Sequence, residues 1–174
     1  NRITVPECKK AGKAPLVVIL DNIRSLNNIG SVFRTADAYR VQAIHLCGIT
    51  ATPPHRDIQK TALGATESVE WQYFENVKDS IRILKQSGFG IYAVEQTEKN
   101  ISLNDFQIGS NARTAIILGN EVSGVSNEAI EMCDACIELP QYGTKHSLNV
   151  SVCSGIVIWE IFNKMKNAGL LDFA

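Results

Sequence analysis

The sequence lacks any apolar run of the length that crosses a membrane. A membrane-spanning helix needs about 20 consecutive apolar residues, and the apolar runs of this chain, such as LVVIL at Leu16–Leu20, are far shorter. The chain also opens on a polar, basic stretch without an apolar signal core. With 174 residues, 45% of them hydrophobic and 20% charged, it is predicted to form one globular domain, which we expect in the cytoplasm and not on a membrane.

Paired metal ligands and a disulfide framework are also missing. The five cysteines form an odd, scattered set, which argues for reduced thiols. Cys133 and Cys136 spell C-x-x-C, but a zinc site needs a second pair of ligands, and the three histidines stand alone. We therefore expect no metal, and we assign the cysteines to structural positions, with Cys136 at the start of a buried strand.

Positive charge is not in excess. Lys and Arg number 17 against 18 for Asp and Glu, and the net charge is −1, which is a mild argument against nucleic-acid binding. Basic residues still cluster in two stretches, which contain Arg2, Lys9, Lys10 and Lys13, and then Arg34, Arg40, His55, Arg56 and Lys60. Charge alone leaves open whether these residues form a solvated surface or contact phosphates.

What the sequence has is a regular alternation of short apolar runs and helical periodicity. Strands are predicted at Leu16–Leu20, Ala43–Cys47, Gly90–Val94, Thr114–Leu118 and Ala135–Leu139, with Val69–Phe74 nearer an edge. Helices are predicted at Ile29–Tyr39, Val77–Gln86, Asn127–Met132 and Leu148–Lys164. This order predicts an α/β fold with a mostly parallel sheet and helices on both faces.

In such a sheet, ligands bind beyond the carboxyl ends of the strands. The loop after Leu20 leads into a helix that Asn27 or Asn28 can cap, and Arg34 lies off the buried stripe of that helix. A helix start with a nearby guanidinium suits an anion such as phosphate. A plain capped helix with an exposed arginine explains this segment equally well, because both features are common.

A second loop follows the buried strand that ends at Leu118. Gly119, Asn120 and Glu121 come directly after it, and Gly124 lies in the same tight turn, where glycine permits close approach of a ligand or positive φ. The glycine spacing is neither G-x-G-x-x-G nor G-x-x-x-x-G-K-[ST], which disfavours a Rossmann-like oxidoreductase. A purely structural turn remains the alternative.

A third loop leads from the strand that ends near Leu139 into a long helix. That helix is apolar almost all round, so we expect it to be buried. Ser147, Asn149 and Ser151 crowd at its start, where buried polar groups need partners. They either cap the helix or line a site.

The chain resembles the SpoU/TrmH ribose methyltransferases of the SPOUT superfamily in three segments. These are NNIGSVFRTADAYRV (27–41, motif one), LGNEVSGVS (118–126, motif two) and LPQYGTKHSLNVSVCSGI (139–156, motif three). They occur in the order of that family, and the similarity runs from about Leu16 to Ile161. The resemblance implies a short basic lead at 1–14, a SPOUT catalytic domain at 15–174 with a C-terminal trefoil knot, and a homodimer.

The resemblance also implies a site. The cofactor would be S-adenosylmethionine, held largely by main-chain atoms of Gln96, Thr97, Gly119, Asn120 and residues 139–148, among them Leu139, Gly143 and Leu148. The implied catalytic residues are Arg34, Asn28, Glu121, Ser147 and Asn149. Cys153 replaces a small residue of the family, and we expect this change to leave function undisturbed.

The implied reaction transfers a sulfonium methyl group to a ribose 2′-oxygen of tRNA or rRNA, with compact tRNA preferred. Arg34 would bind an RNA phosphate and stabilise the forming alkoxide, because a guanidinium is nearly always protonated. Glu121 would orient Arg34 or the 2′-hydroxyl, and the RNA would contact the basic lead and the Arg56/Lys60 region. Base methylation on the same scaffold and a non-catalytic RNA-binding module are the competing interpretations.

Overall fold

The computed structural model describes residues 3–97, 100–144 and 147–173. The strands are β1 (Ala14–Asp21), β2 (Val41–Cys47), β3 (Glu70–Phe74), β4 (Gly90–Val94), β5 (Asn100–Ser102), β6 (Thr114–Leu118) and β7 (Ala135–Glu138). The helices are α1 (Val5–Lys10), α2 (Leu26–Ala38), α3 (Arg56–Ala62), α4 (Ala65–Ser68), α5 (Val77–Gln86), α6 (Asn127–Met132) and α7 (Val150–Asn167). Every strand and helix predicted from periodicity has its counterpart among them.

The described strands form one sheet in the order β3-β2-β1-β6-β4-β7-β5. All neighbouring pairs are parallel, so the carboxyl ends of the strands lie along one edge of the sheet. This arrangement confirms the predicted α/β fold, and β3 is at an edge of the sheet as expected. The trefoil knot that the resemblance implies stays a prediction.

Helices cover both faces of the sheet. One layer holds α2, α3, α4 and α7, whose buried side chains Phe33, Ile58, Ala65 and Ile161 share one core with β1 and β6. The other layer holds α5 and α6, which pack on the opposite face through a second core. Two covered faces explain why the central strand β1 is buried along almost its whole length.

Helix α2 begins earlier than the sequence predicts. Ser25 is its N-cap, and the Ser25 hydroxyl accepts a hydrogen bond from the main-chain nitrogen of Asn28 at 3.3 Å. The predicted cap at Asn27 or Asn28 is therefore wrong, because a serine three residues before Asn28 takes that role. The predicted stripe on the sheet-facing side is buried, and it includes Ile29, Val32 and Phe33.

Helix α7 departs from prediction on one face. Asn149 caps it by accepting a hydrogen bond from the main-chain nitrogen of Ser151 at 2.9 Å. Val152, Ile156 and Trp159 are 52%, 39% and 48% exposed, so the expectation of a helix buried all round is wrong. Their i, i+4, i+7 spacing places them on one side of the helix, which we call the α7 apolar face.

Four short elements, α1, α3, α4 and β5, were not predicted from the sequence. They have six, seven, four and three residues, so each shows the hydrophobic period weakly or not at all. Helix α1 lies inside the predicted basic lead and starts with a capping box between Thr4 and Glu7. Within the described residues, no helix is long and apolar enough to cross a membrane.

Candidate active site

A cavity of about 690 Å³ opens beyond the carboxyl ends of β4, β6 and β7. These strands are neighbours in the sheet, with β4 in the middle, so the loops that follow them meet. The lining comprises Val94, Glu95, Gln96, Thr97, Leu118, Gly119, Asn120, Glu121, Val122, Ser123, Gly124, Val125, Asn127, Ile130, Leu139, Gln141, Ser147, Leu148, Asn149, Val150 and Cys153. The volume is that of a site for a small molecule or cofactor.

The loop after β6 forms one wall and is held by its own amide side chain. The Asn120 side-chain oxygen accepts hydrogen bonds from the main-chain nitrogens of Val122 and Ser123 at 2.9 and 3.1 Å. Gly119 faces the returning chain so closely that a Cβ there would lie 2.1 Å from the main-chain nitrogen of Val125. Motif two therefore requires glycine at this position for a steric reason.

Glu95 joins the loops after β4 and β6. Its carboxylate accepts hydrogen bonds from the main-chain nitrogens of Val125 at 2.9 Å and of Gln96 at 3.1 Å. Gly124, with φ of 71°, passes so close that a Cβ would lie 2.3 Å from Glu95 Oε2. Glu95 is not among the site residues predicted from the sequence, although it directly follows a predicted strand, where ligand-facing residues are expected.

Glu138, at the end of β7, holds the loop after β4 from the other side. The Gln96 side chain donates to Glu138 Oε1 at 3.1 Å, and the Asn100 side chain donates to Glu138 Oε2 at 2.6 Å. This contact fixes the predicted cofactor positions Gln96 and Thr97 at the cavity. Glu138 itself was also not predicted.

Glu121 ties motif two to the start of α2. Its carboxylate accepts hydrogen bonds from the main-chain nitrogens of Arg24 at 2.9 Å and Ser25 at 3.0 Å, and from the side chain of Asn28 at 3.0 Å. Burial alone would raise the pKa of Glu121, but these hydrogen bonds outweigh it and hold the pKa below its usual value. Glu121 therefore favours the carboxylate form.

The same bridge continues to the start of α7. The Asn149 side chain donates to the side-chain oxygen of Asn28 at 3.3 Å, while Asn149 Oδ1 caps α7. Glu121, Asn28 and Asn149, which come from three separate motifs, thus form one hydrogen-bonded chain. Ser147 and Leu148 line the cavity beside them.

Other predicted site residues lie outside the cavity lining. Arg34 is exposed on α2, and within the described residues it makes no hydrogen bond or ion pair, so Glu121 contacts Asn28 and not Arg34. Gly143 is exposed, and no atom of the described ranges lies within 4 Å of where its Cβ would be. Residues 145 and 146 of the predicted cofactor loop are outside the described part of the chain.

The cysteines are free thiols, and three of the five are buried. Burial, together with the Glu95 carboxylate, raises the pKa of Cys153 in the cavity wall to about 11. Cys153 is therefore a neutral thiol at physiological pH and a poor nucleophile. Within the described ranges, no three His, Cys, Asp or Glu side chains are grouped so that they could hold a metal ion.

Comparison with known proteins connects this site to a family. Residues 15–159 match the family model of the SpoU rRNA methylases. A tRNA (guanosine(18)-2'-O)-methyltransferase from Thermus thermophilus is 30% identical over 173 residues, which cover 99% of this chain and 87% of the relative. The fold matches a TrmH/SpoU tRNA modifying enzyme from A. aeolicus with a TM-score of 0.83 and 25% identity, over 95% of this chain and 84% of the other.

A further solved structure is an AdoMet-bound rRNA methyltransferase from Sinorhizobium meliloti. It matches with a TM-score of 0.80 and 25% identity, over 90% of this chain and 59% of the other. These matches confirm the resemblance predicted from the three motifs, and with it the assignment to RNA 2′-O-methyltransferases that use S-adenosylmethionine. The chain belongs to the SpoU rRNA methylase family.

Proposed function

We propose that this protein methylates a ribose 2′-hydroxyl of tRNA, with S-adenosylmethionine bound in the cavity beyond β4, β6 and β7. The observation that carries the proposal is the chain of hydrogen bonds from Glu121 through Asn28 to Asn149. It connects the start of α2, where an RNA ribose is expected, to the lining of the cavity. The relative from Thermus thermophilus, a tRNA 2′-O-methyltransferase, supports tRNA over rRNA.

The cavity suits S-adenosylmethionine in size and charge. It has about 690 Å³, and its wall combines main-chain groups of two glycine-containing loops with apolar side chains such as Leu118 and Ile130. Among the described lining residues, the charged side chains are the carboxylates of Glu95 and Glu121. Negative charge favours a sulfonium cation and disfavours a nucleotide phosphate.

The chemistry asks the protein mainly to position the acceptor. When bound, the cofactor would supply an electrophilic methyl group: the carbon–sulfur bond would break as the carbon–oxygen bond forms, the electron pair would stay on sulfur, and the hydroxyl proton would pass to solvent water. Asn28, Asn149 and Ser147 supply hydrogen-bonding groups near the cavity that can orient the hydroxyl. Arg34 carries a permanent positive charge on the same helix as Asn28 and would hold an RNA phosphate and stabilise the alkoxide.

The RNA would lie on the helical layer of α2 and α3. Arg34, Arg56 and Lys60 are exposed there, and the lack of a Cβ at Gly30 lets α3 pack directly against α2. Two other basic residues of the predicted clusters make contacts within the fold instead. Lys13 donates hydrogen bonds to Cys8 and Ser68, and Arg40 lies 4.6 Å from the centre of the Phe173 ring.

The protein would act as a homodimer through the α7 apolar face. Three large apolar side chains are rarely left together in water on a helix that flanks a site. A second copy seated there would cover them and bring its own α2 near the cavity, in keeping with an Arg34 that lies outside the cavity of its own chain. Relatives that modify tRNA also support the cytoplasm as the place of action.

One experiment tests the whole proposal. Purified protein is incubated with S-adenosylmethionine and unmodified tRNA or rRNA transcripts, and the digested RNA is analysed by mass spectrometry. We expect a 2′-O-methylated nucleoside from tRNA. A methylated base would instead establish the competing base-methylation activity, and cofactor binding without any methylated nucleoside would point to a binding module.

Charge reversal tests the RNA surface separately. The double variant Arg56→Glu, Lys60→Glu should weaken tRNA binding and reduce its dependence on salt, because fewer phosphate counterions are released. Arg82→Glu is the matched control, since Arg82 lies on α5 in the opposite layer. Equal losses in both variants would remove this surface from the proposal.

A further inference from the structure

We infer that Glu95 makes the cavity prefer the charged methyl donor over its uncharged product, an inference that rests on the proposed function. S-adenosylmethionine carries a positive sulfonium, and methyl transfer converts it to the neutral thioether of S-adenosylhomocysteine. A carboxylate inside the cavity attracts the first and not the second. Glu95 would therefore strengthen donor binding and ease product release with one charge.

The Glu95 carboxylate is fixed in place and not free to swing into solvent. Its two oxygens accept hydrogen bonds from the main-chain nitrogens of Val125 and Gln96, and the main chain at Gly124 passes directly beside it. Within the described residues, no Lys or Arg pairs with it. Its negative charge is thus held at the cavity wall without a neutralising cation.

The Glu95 carboxylate also lies near Cys153, which lines the same cavity. Cys153 comes from α7, yet the Glu95 carboxylate contributes, after burial, to the raised pKa of its thiol. A negative field that disfavours a thiolate at this position also favours a cation nearby. The two ligands carry the same ammonium and carboxylate groups and differ in charge only at sulfur, so the preference requires the sulfonium to lie within Coulomb range of Glu95, which extends beyond hydrogen-bond distance.

Glu121 is less suited to this task, although it also lines the cavity. Its carboxylate already accepts three hydrogen bonds from the start of α2, and it lies at the exposed rim. Its hydrogen bonds hold it at the start of α2 and not in the wall formed by the loop after β4. Glu121 therefore positions α2, and Glu95 selects the ligand.

Calorimetry on the full chain with both ligands tests the inference. Glu95→Gln should raise the dissociation constant of S-adenosylmethionine about tenfold and leave that of S-adenosylhomocysteine within about twofold. Glu95→Asp keeps the charge and should keep most of the preference. In the unaltered protein, added salt should weaken donor binding more than product binding, because it screens the attraction.

Two matched variants separate charge from structure. Glu138→Gln loosens the same loop from outside the cavity lining and should weaken both ligands by a similar factor, whereas Glu128→Gln, on α6, should change neither. Equal weakening of both ligands in Glu95→Gln, or no change in either, would overturn the inference. If the unaltered protein binds neither ligand, the proposed function fails; if it binds both equally and independently of salt, only the role of Glu95 fails.

Discussion

Glu121 shows how one side chain can serve a site by holding other residues. It follows β6 directly, which made it a candidate from the sequence, where it was expected to orient Arg34 or the 2′-hydroxyl. Its hydrogen bonds go instead to two main-chain nitrogens and to Asn28. A three-residue bridge between distant motifs is not visible in sequence spacing, because it depends on how the chain returns to the same edge of the sheet.

Substitution of Arg34 should lower the rate of methyl transfer without changing the affinity for the cofactor. Arg34→Ala should lower the rate of tRNA methylation by about a hundredfold or more, because it removes one group that would stabilise the forming alkoxide. Arg34 is exposed and lies outside the cavity lining, so cofactor binding should be preserved. The dissociation constant of S-adenosylmethionine should stay within about twofold. Single-turnover assays and calorimetry give the two numbers, and a parallel loss of both would contradict the assignment.

His45 sets a pH dependence that has nothing to do with catalysis. It is 7% exposed in the second core, its Nδ1 shares a 2.7 Å hydrogen bond with the Ser80 hydroxyl, and burial lowers its pKa to about 4 from 6.5. Between these two values the unfolded chain binds a proton that the folded chain does not. The free energy of unfolding should therefore fall by about 3 kcal/mol as pH drops from 6.5 to 4.

Urea unfolding at a series of pH values measures this loss. The variant His45→Gln retains a polar partner for Ser80 but cannot titrate. Its free energy of unfolding should therefore lack this loss of about 3 kcal/mol over the same pH interval. A pH dependence identical to that of the unaltered protein would show that another group is responsible.

At the scale of elements, the loop after β6 depends on its glycines for steric reasons. In Gly119→Ala the new Cβ would lie 2.1 Å from main-chain atoms of Gly124 and Val125, so one of the two strands of the turn must shift. Overpacking of this kind costs about 1–3 kcal/mol. We expect a comparable drop in the free energy of unfolding, and loss of S-adenosylmethionine binding, because the displaced segment forms the cavity wall.

Gly143→Ala is the matched control for that prediction. Among the described residues, no atom lies within 4 Å of the position that a Cβ at Gly143 would occupy, so the variant should unfold at the same urea concentration as the unaltered protein. If Gly143→Ala also abolished cofactor binding, the loop of motif three would contact the ligand in a way that this clearance does not suggest.

Elements with a clear period were predictable, and those without one were not. The apolar runs predicted the central strands, and the buried stripe of Ile29, Val32 and Phe33 predicted α2. Helices α3 and α4 show the period weakly or not at all, and β5 has three residues. The exposed face of α7 was missed for a different reason: an apolar residue contributes equally to the hydrophobic period whether it faces the core or lies on the surface.

At the scale of the whole molecule, the α7 apolar face leads to a prediction about the oligomeric state. The proposed homodimer would have twice the chain mass of 19.1 kDa, and Val152→Glu should separate it into monomers, because the variant places a charge on the surface that the second copy would cover. Sedimentation equilibrium measures the mass. Ile83→Glu, an equally exposed apolar residue on α5, is the control and should leave the dimer intact; a dimer that survives Val152→Glu would place the interface elsewhere.

The candidate site was predicted in part. Motifs two and three contain most of the residues that line the cavity, and motif one contains none of them. Glu95 and Glu138 lie between those motifs. The Glu95 contact with Val125 requires β4 beside β6, and the Glu138 contact with Gln96 requires β4 beside β7. The order of the strands in the sheet depends on the whole chain, so no local sequence pattern predicts these two contacts.

That sheet order also governs when the protein can first bind its methyl donor. Strand β4 pairs with β6 and β7, both of which follow it in the chain, so it has no strand to pair with until later residues are synthesised. The cavity closes only once the chain extends to Cys153, which means that a growing polypeptide on the ribosome cannot hold the ligand. Donor at about a hundredfold above its dissociation constant stabilises the finished fold by about 2.7 kcal/mol. The cellular supply of methyl donor would thus protect completed molecules from proteolysis and leave unfinished ones exposed to it.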